Sequence, residues 1–175
     1  MEKTLNNIIK DSVHFSSESN EWATPQDLFN KLNEKYMFTL DPCATKENAK
    51  CDNFYTKQDD GLLQDWRDEV VFMNPPYGRE ISKWIEKAYT ESLNGDCIVV
   101  CLIPSRTDTK YWHDFIFPYA SEIRFIKGRL KFGGHKNSAP FPSAIVIFRE
   151  GNYIENTGMF TTQKIQIIGT YERKM

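Results

Sequence analysis

The sequence predicts an α/β fold: one doubly wound, mostly parallel sheet with helices on both faces and an antiparallel edge. Two observations carry that reading. Val70-Val71-Phe72-Met73 and the run Cys97 to Ile103 are apolar at every position, as strands are when both faces of their sheet are covered. Between them, Ile81, Trp84, Ile85, Ala88, Tyr89 and Leu93 keep the spacing of one buried helix face, which predicts a helix from about Arg79 to Leu93. Strand, helix, strand in this order makes a parallel pair joined by a crossover.

The other elements follow along the chain. The first twenty residues are polar and lack apolar periodicity, so residues 1–14 are expected to form a flexible tail. Pro25 to Tyr36 is predicted helical, with Thr24 as N-cap, Pro25 at the first helical position and a stripe of Leu28, Phe29 and Leu32. Phe38-Thr39-Leu40 makes a short strand ending at Asp41-Pro42. Residues 43–69 are polar and irregular, with a short strand at Phe54-Tyr55. Val70–Met73 must stop at Asn74-Pro75-Pro76, because proline cannot donate to a ladder. Asn94-Gly95 ends the second helix, and Pro104 closes the next strand. A third helix is expected from about Thr109 to Phe117, then a strand at Ile123–Ile126. A tight connection at Lys127-Gly128-Arg129 and a strand from Phe141 to Phe148 supply the antiparallel edge. The domain proper is placed at 15–150. Residues 151–175 are set apart as a C-terminal extension of unassigned role, with strand-like Ile165-Gln166-Ile167-Ile168.

Composition excludes several classes. With 40% hydrophobic and 14% aromatic residues the chain can build a core, so global disorder is not expected. No apolar run approaches the ~20 residues of a membrane span, and the N-terminus lacks an apolar signal segment. A soluble, cytoplasmic protein is expected. Cys43, Cys51, Cys97 and Cys101 form no Cys-x-x-Cys pair and have no histidine set beside them; they are read as reduced core cysteines, and no metal is expected. The net charge of −2 conceals an asymmetry: residues 1–103 carry −7, residues 104–136 carry +4 and residues 137–175 carry +1. A polyanion would meet the face built from 104–136.

In open α/β sheets ligands bind past the carboxyl ends of the strands. Asp41, Asn74 and Pro104 all stand at such ends, so three motifs converge on one crevice. The run Asn74-Pro75-Pro76-Tyr77 has a definite chemical use there. An exocyclic aromatic amine is a poor nucleophile, because its lone pair is shared with the ring. Two acceptors aimed at the amine hydrogens would localise that pair. The Asn74 side-chain oxygen and the Pro75 carbonyl can be those acceptors, with Pro75 and Pro76 locking the backbone. Tyr77 is expected to offer a flat face on which the base stacks. A duplex base must be turned out to reach such a site. With an activated methyl donor the site has mainly to align the reacting atoms.

These residues bear a resemblance. Asn74-Pro75-Pro76-Tyr77 after an apolar strand is similar to the catalytic motif of amino-methyltransferases acting on adenine, cytosine N4 or glutamine. Phe15-Ser16-Ser17, Glu21-Trp22-Ala23-Thr24-Pro25, Leu40-Asp41-Pro42-Cys43-Ala44, Asp59-Asp60-Gly61-Leu62 with Asp65-Trp66, Pro104-Ser105-Arg106-Thr107-Asp108-Thr109, Gly128-Arg129-Leu130 and Ala139-Pro140-Phe141-Pro142-Ser143 together resemble the phage Dam-type DNA N6-adenine methyltransferases, over about residues 15–149. The resemblance implies a Rossmann-like S-adenosylmethionine-dependent methyltransferase domain that methylates a flipped-out adenine in double-stranded DNA. It implies that Trp22, Thr24 and Pro25 touch the methionine end of the cofactor. Asp41, followed by Pro42 and Cys43, would meet its amino group or ribose. Asp60, beside Asp59, would hydrogen-bond its adenine. The chain departs from many such enzymes at 41–45, where a Gly-x-Gly loop is missing.

For DNA, Arg106, Lys110, Lys127, Arg129, Lys131, His135 and Lys136, together with Arg124, gather near Tyr111, Trp112 and Phe132. Cations beside aromatics suit phosphate contact with base stacking. Two alternatives keep part of this reading. One is methylation of another amine: cytosine N4, an RNA adenine or a protein glutamine. The other is a DNA-binding module without catalysis, against which the intact Asn74–Tyr77 run speaks.

Overall fold

A computed structural model describes residues 22–133 and 136–150, with the backbone course of 164–168. The tail 1–14, Phe15-Ser16-Ser17, Glu21 and His135 lie outside the described residues.

Helix α1 (Gln26–Tyr36) buries Leu28, Phe29 and Leu32, the predicted stripe. It ends where Met37 takes a left-handed conformation (φ 54°) and its N–H bonds the Asn33 carbonyl. That turn delays β1 to Leu40–Asp41, although Thr39 already donates to the Val70 carbonyl at 2.8 Å. Short β2 (Asn53–Phe54) pairs parallel to β1 on one side, and β3 (Val70–Met73) on the other. Helix α2 (Ile81–Glu91) crosses over and buries Ile81, Trp84, Ile85 and Ala88. β4 (Ile98–Pro104) then lies parallel to β3, with Val71 opposite Val99 and Met73 opposite Cys101. The apolar runs are therefore adjacent central strands, and their interior residues have no exposed surface.

The third helical segment is irregular. Residues 112–116 form a π turn that continues into α3 (Phe117–Tyr119). β5 (Glu122–Ile126), β6 (Ser143–Arg149) and β7 (Lys164–Ile168) complete a seven-stranded sheet of order β2-β1-β3-β4-β6-β5-β7. Antiparallel pairing occupies this far side of the sheet, as predicted. The reversed strand is β6, slotted between β4 and β5, and β7 extends the sheet parallel to β5. Gly128, at φ 82°, makes the tight connection after β5. No helix among the described residues is long and apolar enough to cross a membrane.

This order has one functional consequence. β1, β3, β4 and β5 point the same way, so Asp41, Asn74, Ser105 and Lys127 emerge at one rim. β6 runs backwards and begins there, which brings 136–142 to the same rim.

Candidate active site

The rim encloses a cavity of about 510 Å³. Asn74 and Pro76 wall it from β3, Asp41 to Thr45 from β1, Trp22 to Thr24 from the segment before α1, and Trp84 from α2.

The Asn74 carboxamide is fixed in orientation. Its Nδ2 donates to the Trp22 carbonyl (2.6 Å) and to Thr24 Oγ1 (2.9 Å). A carbonyl can only accept, so the nitrogen must face Trp22 and the oxygen must face away. Asn74 Oδ1 accepts the Tyr77 hydroxyl at 2.7 Å; that hydroxyl also lies 3.1 Å from the Leu102 carbonyl. Burial holds the Tyr77 phenol well above its ordinary pKa, so it keeps its proton and remains a donor. A carbonyl oxygen has two lone pairs, and one of those on Oδ1 is left for an incoming N–H. Among the described residues no donor reaches the Pro75 carbonyl.

Two expectations change here. Thr24 does not cap α1: Pro25 is the N-cap residue and no side chain caps the helix, because the Thr24 hydroxyl is bonded to Asn74. Tyr77 does not line the larger cavity, and its ring is largely packed. It is 7% exposed, meets Phe132 and Phe141 edge-on (6.1 and 5.5 Å between ring centres), and its hydroxyl donates to Asn74 Oδ1.

The segment 22–24 is itself clamped. Gly133 N–H bonds the Ala23 carbonyl at 2.8 Å, and the Trp22 ring packs edge-on against Phe132 and Phe141. The basic rim segment and the Asn74 clamp are thus one packed unit.

Asp41 is 5% exposed, yet among the described residues its carboxyl accepts only two backbone N–H groups, from Lys50 (3.1 Å) and Cys43 (3.5 Å). Burial outweighs these bonds and raises its pKa from 3.8 to about 6. Lys50 stands in the same wall, but its Nζ donates to Gln26 Oε1 at 2.8 Å. Cys43 is driven well upward by burial, then by Asp41, so it is an inert thiol.

Asp59 and Asp60 divide. Asp60 lines the cavity in a left-handed conformation (φ 51°), which aspartate tolerates. Asp59 points into its own turn, accepting the Thr56 N–H (2.8 Å) and hydroxyl (2.7 Å), and does not line the cavity; neither does Pro25. Sequence reasoning missed several wall residues, Lys50, Leu62, Phe72 and Trp84 among them, and also Gly61. A Cβ there would sit 2.0 Å from the Pro42 carbonyl oxygen. The close backbone approach missing at 41–45 is supplied from the opposite wall. Its signal was present as Asp60-Gly61-Leu62 with Trp66, whose indole N–H bonds the Gly61 carbonyl at 3.0 Å.

In the basic segment Arg106, Lys110, Lys127, Arg129, Lys131 and Lys136 are exposed. Lys110 pairs with Asp114. Arg124 does not belong with them: it is buried, with Nε and Nη2 each 2.7 Å from Glu122 and Nη2 2.7 Å from the Tyr36 hydroxyl. Trp112 and Phe132 are core residues, so these two rings are not open to bases, and Tyr111 is largely buried.

The model of the family described as DNA N-6-adenine-methyltransferase (Dam) matches residues 11–169. The chain belongs to this family. The family's name gives the reaction: methyl transfer to N6 of adenine in DNA. A DNA N-6-adenine-methyltransferase of Haemophilus phage HP1 (strain HP1c1) is 31% identical over 140 residues, covering 75% of this chain and 80% of the phage protein. Another, of Escherichia phage T1, is 30% identical over 111 residues, covering 62% of this chain and 45% of that protein. As a Dam-family protein the chain carries its Asn74–Tyr77 motif on the strand end where the cavity opens.

Proposed function

We propose that this chain transfers a methyl group from S-adenosylmethionine to N6 of an adenine turned out of duplex DNA. The observation that carries the proposal is the Asn74 carboxamide: Asn74 lines the cavity, and both its N–H groups are held by Trp22 and Thr24, so its oxygen is fixed in orientation with a lone pair left to accept from an amine.

The wall residues fit the cofactor. Asp41 is a buried carboxylate with no ion-pair partner among the described residues, which suits a cationic amine. Lys50 in the same wall suits a carboxylate. Trp22, Phe72, Leu62 and Trp84 supply apolar surface, and Asp60 an acceptor for a purine amine. At about 510 Å³ the cavity lies within the ~300–1,000 Å³ usual for such ligands. The cofactor, when bound, supplies an already activated methyl group. Asn74 and Pro75 then draw the two N6 hydrogens of adenine towards their oxygens and localise the nitrogen lone pair. Tyr77 keeps the Asn74 oxygen aimed. The proton released from N6 passes to solvent. The exposed Lys127, Arg129, Lys131 and Lys136, on the same rim, would meet the duplex backbone.

Labelled S-adenosylmethionine, incubated with the protein and duplex DNA and followed by digestion to nucleosides, tests the reaction. Label in N6-methyladenine is expected. Label in N4-methylcytosine, RNA or protein, or no transfer, would refute it.

Two smaller effects follow. Ionised Asp41 favours a cationic ligand, and its pKa in the free protein is about 6. Cofactor affinity is therefore flat only above about pH 7, is roughly halved at pH 6 and falls about fivefold more from pH 6 to pH 5, the behaviour of one linked proton. Calorimetric titration should show this, and Asp41→Asn should remove the pH dependence and bind weakly throughout. Tyr77→Phe keeps the ring and loses one hydrogen bond, so kcat should fall about 5–10-fold with cofactor affinity unchanged. A variant with full kcat would show that Tyr77 does not position Asn74.

A further inference from the structure

A second space of about 230 Å³ lies behind the Asn74–Tyr77 turn, and Tyr77, Arg79, Ser82, Arg106, Thr109 and Tyr111 stand around it. Asn74 and Pro76 face the larger cavity and Tyr77 faces this one, so the turn is the wall between them. Arg79 and Arg106 are both exposed residues that line this space, and two cations beside one small space make it a favourable seat for an anion. No carboxylate lines the space, and among the described residues neither arginine has an ion-pair partner. Glu80, next to Arg79, is taken by Lys83 at 2.5 Å. The Arg106 guanidinium carbon lies 6.0 Å from the centre of the Phe141 ring, a contact that steadies the group without neutralising it.

We propose that this second cavity seats a DNA backbone phosphate beside the extruded adenine, gripped by Arg79 and Arg106. The proposal rests on the DNA-methylating reading above and adds Arg79 to it. Arginine forks match phosphate oxygens, and the Ser82 and Tyr111 hydroxyls add donors. The space is smaller than the usual ~300 Å³ lower bound for organic ligands, which suits a phosphate with its waters. Two permanent cations are a poor lining for a neutral base. Turning a nucleotide out rotates its backbone, so a phosphate pinned behind the catalytic turn would hold the extruded state.

The test uses the full chain with Arg79→Gln and Arg106→Gln. Duplex binding is measured by anisotropy across a salt series, apart from turnover, with cofactor affinity measured separately. Each variant should lose about tenfold in duplex affinity. Its log–log salt slope should be shallower by about 0.9, the loss of one phosphate contact. Cofactor affinity should stay within twofold. A single neutral methylphosphonate next to the methylated adenine should reproduce the loss in wild type and add nothing in Arg79→Gln. An unchanged salt slope overturns the proposal. So does a loss of kcat alone that follows the identity of the target base, since the cavity would then hold the base. If wild type binds with the expected slope and the variants respond as described, yet no methyl is transferred, the methylation reading fails and the phosphate site stands.

Discussion

Asn74→Ala should lower kcat about 10²–10³-fold, the usual loss when one preorganised group at the reacting centre is removed. The variant deletes the acceptor for the amine hydrogen and also removes the donor to the Trp22 carbonyl and Thr24 hydroxyl. Asn74→Asp separates the two effects. It keeps an acceptor oxygen but turns a carboxylate against the Trp22 carbonyl, where a donor stood. Its cofactor affinity should drop with its kcat, because segment 22–24 lines the cofactor cavity. Single-turnover methylation with a parallel cofactor titration checks both. Full activity in either variant would remove Asn74 from the chemistry.

Gly61→Ala should be nearly as damaging, although Gly61 contributes no side chain. The new Cβ would meet the Pro42 carbonyl oxygen at 2.0 Å, and that atom is backbone, so the wall between Asp41 and Ala44 must move. Overpacking of this kind costs about 1–3 kcal/mol. For a chain of this size Tm should fall by roughly 5 °C. A displacement of about 1 Å in a binding wall can cost ~10²-fold, so cofactor affinity should fall about 10–100-fold. Differential scanning fluorimetry and a cofactor titration read the two effects. Unchanged affinity would mean that the approach of Gly61 to Pro42 does not shape the cavity.

The central strands were legible in the sequence because burial on both faces leaves a mark that needs no partner to be seen. Val70–Met73 and the run ending at Pro104 are apolar throughout, and proline sets their ends. The seat of β6 between β4 and β5 was not legible. Pairing order depends on register with distant strands, and Ser143–Arg149 would be equally apolar in other interior positions. The rim was legible for a related reason: one strand direction carries Asp41, Asn74 and Pro104 to the same end.

What the sequence could not convey is where a polar group spends its hydrogen bonds. Thr24 before Pro25 has the form of a helix cap, but a side chain fifty residues away competes for its hydroxyl and wins. Arg124 resembled its basic neighbours until Glu122 and Tyr36 closed around it. Tyr77 followed the motif into the site, but its ring turned into the Phe132 and Phe141 cluster. Asp59 and Asp60 are adjacent and alike, and only the turn decides which one faces the cavity.

The most direct measurement is a crystal structure of the chain with S-adenosylhomocysteine and a duplex carrying the target adenine. The extruded N6 should lie within hydrogen-bond reach, about 2.7–3.2 Å, of both Asn74 Oδ1 and the Pro75 carbonyl oxygen. An adenine whose N6 is held by other acceptors, with the Asn74 oxygen still occupied by Tyr77 alone, would contradict it.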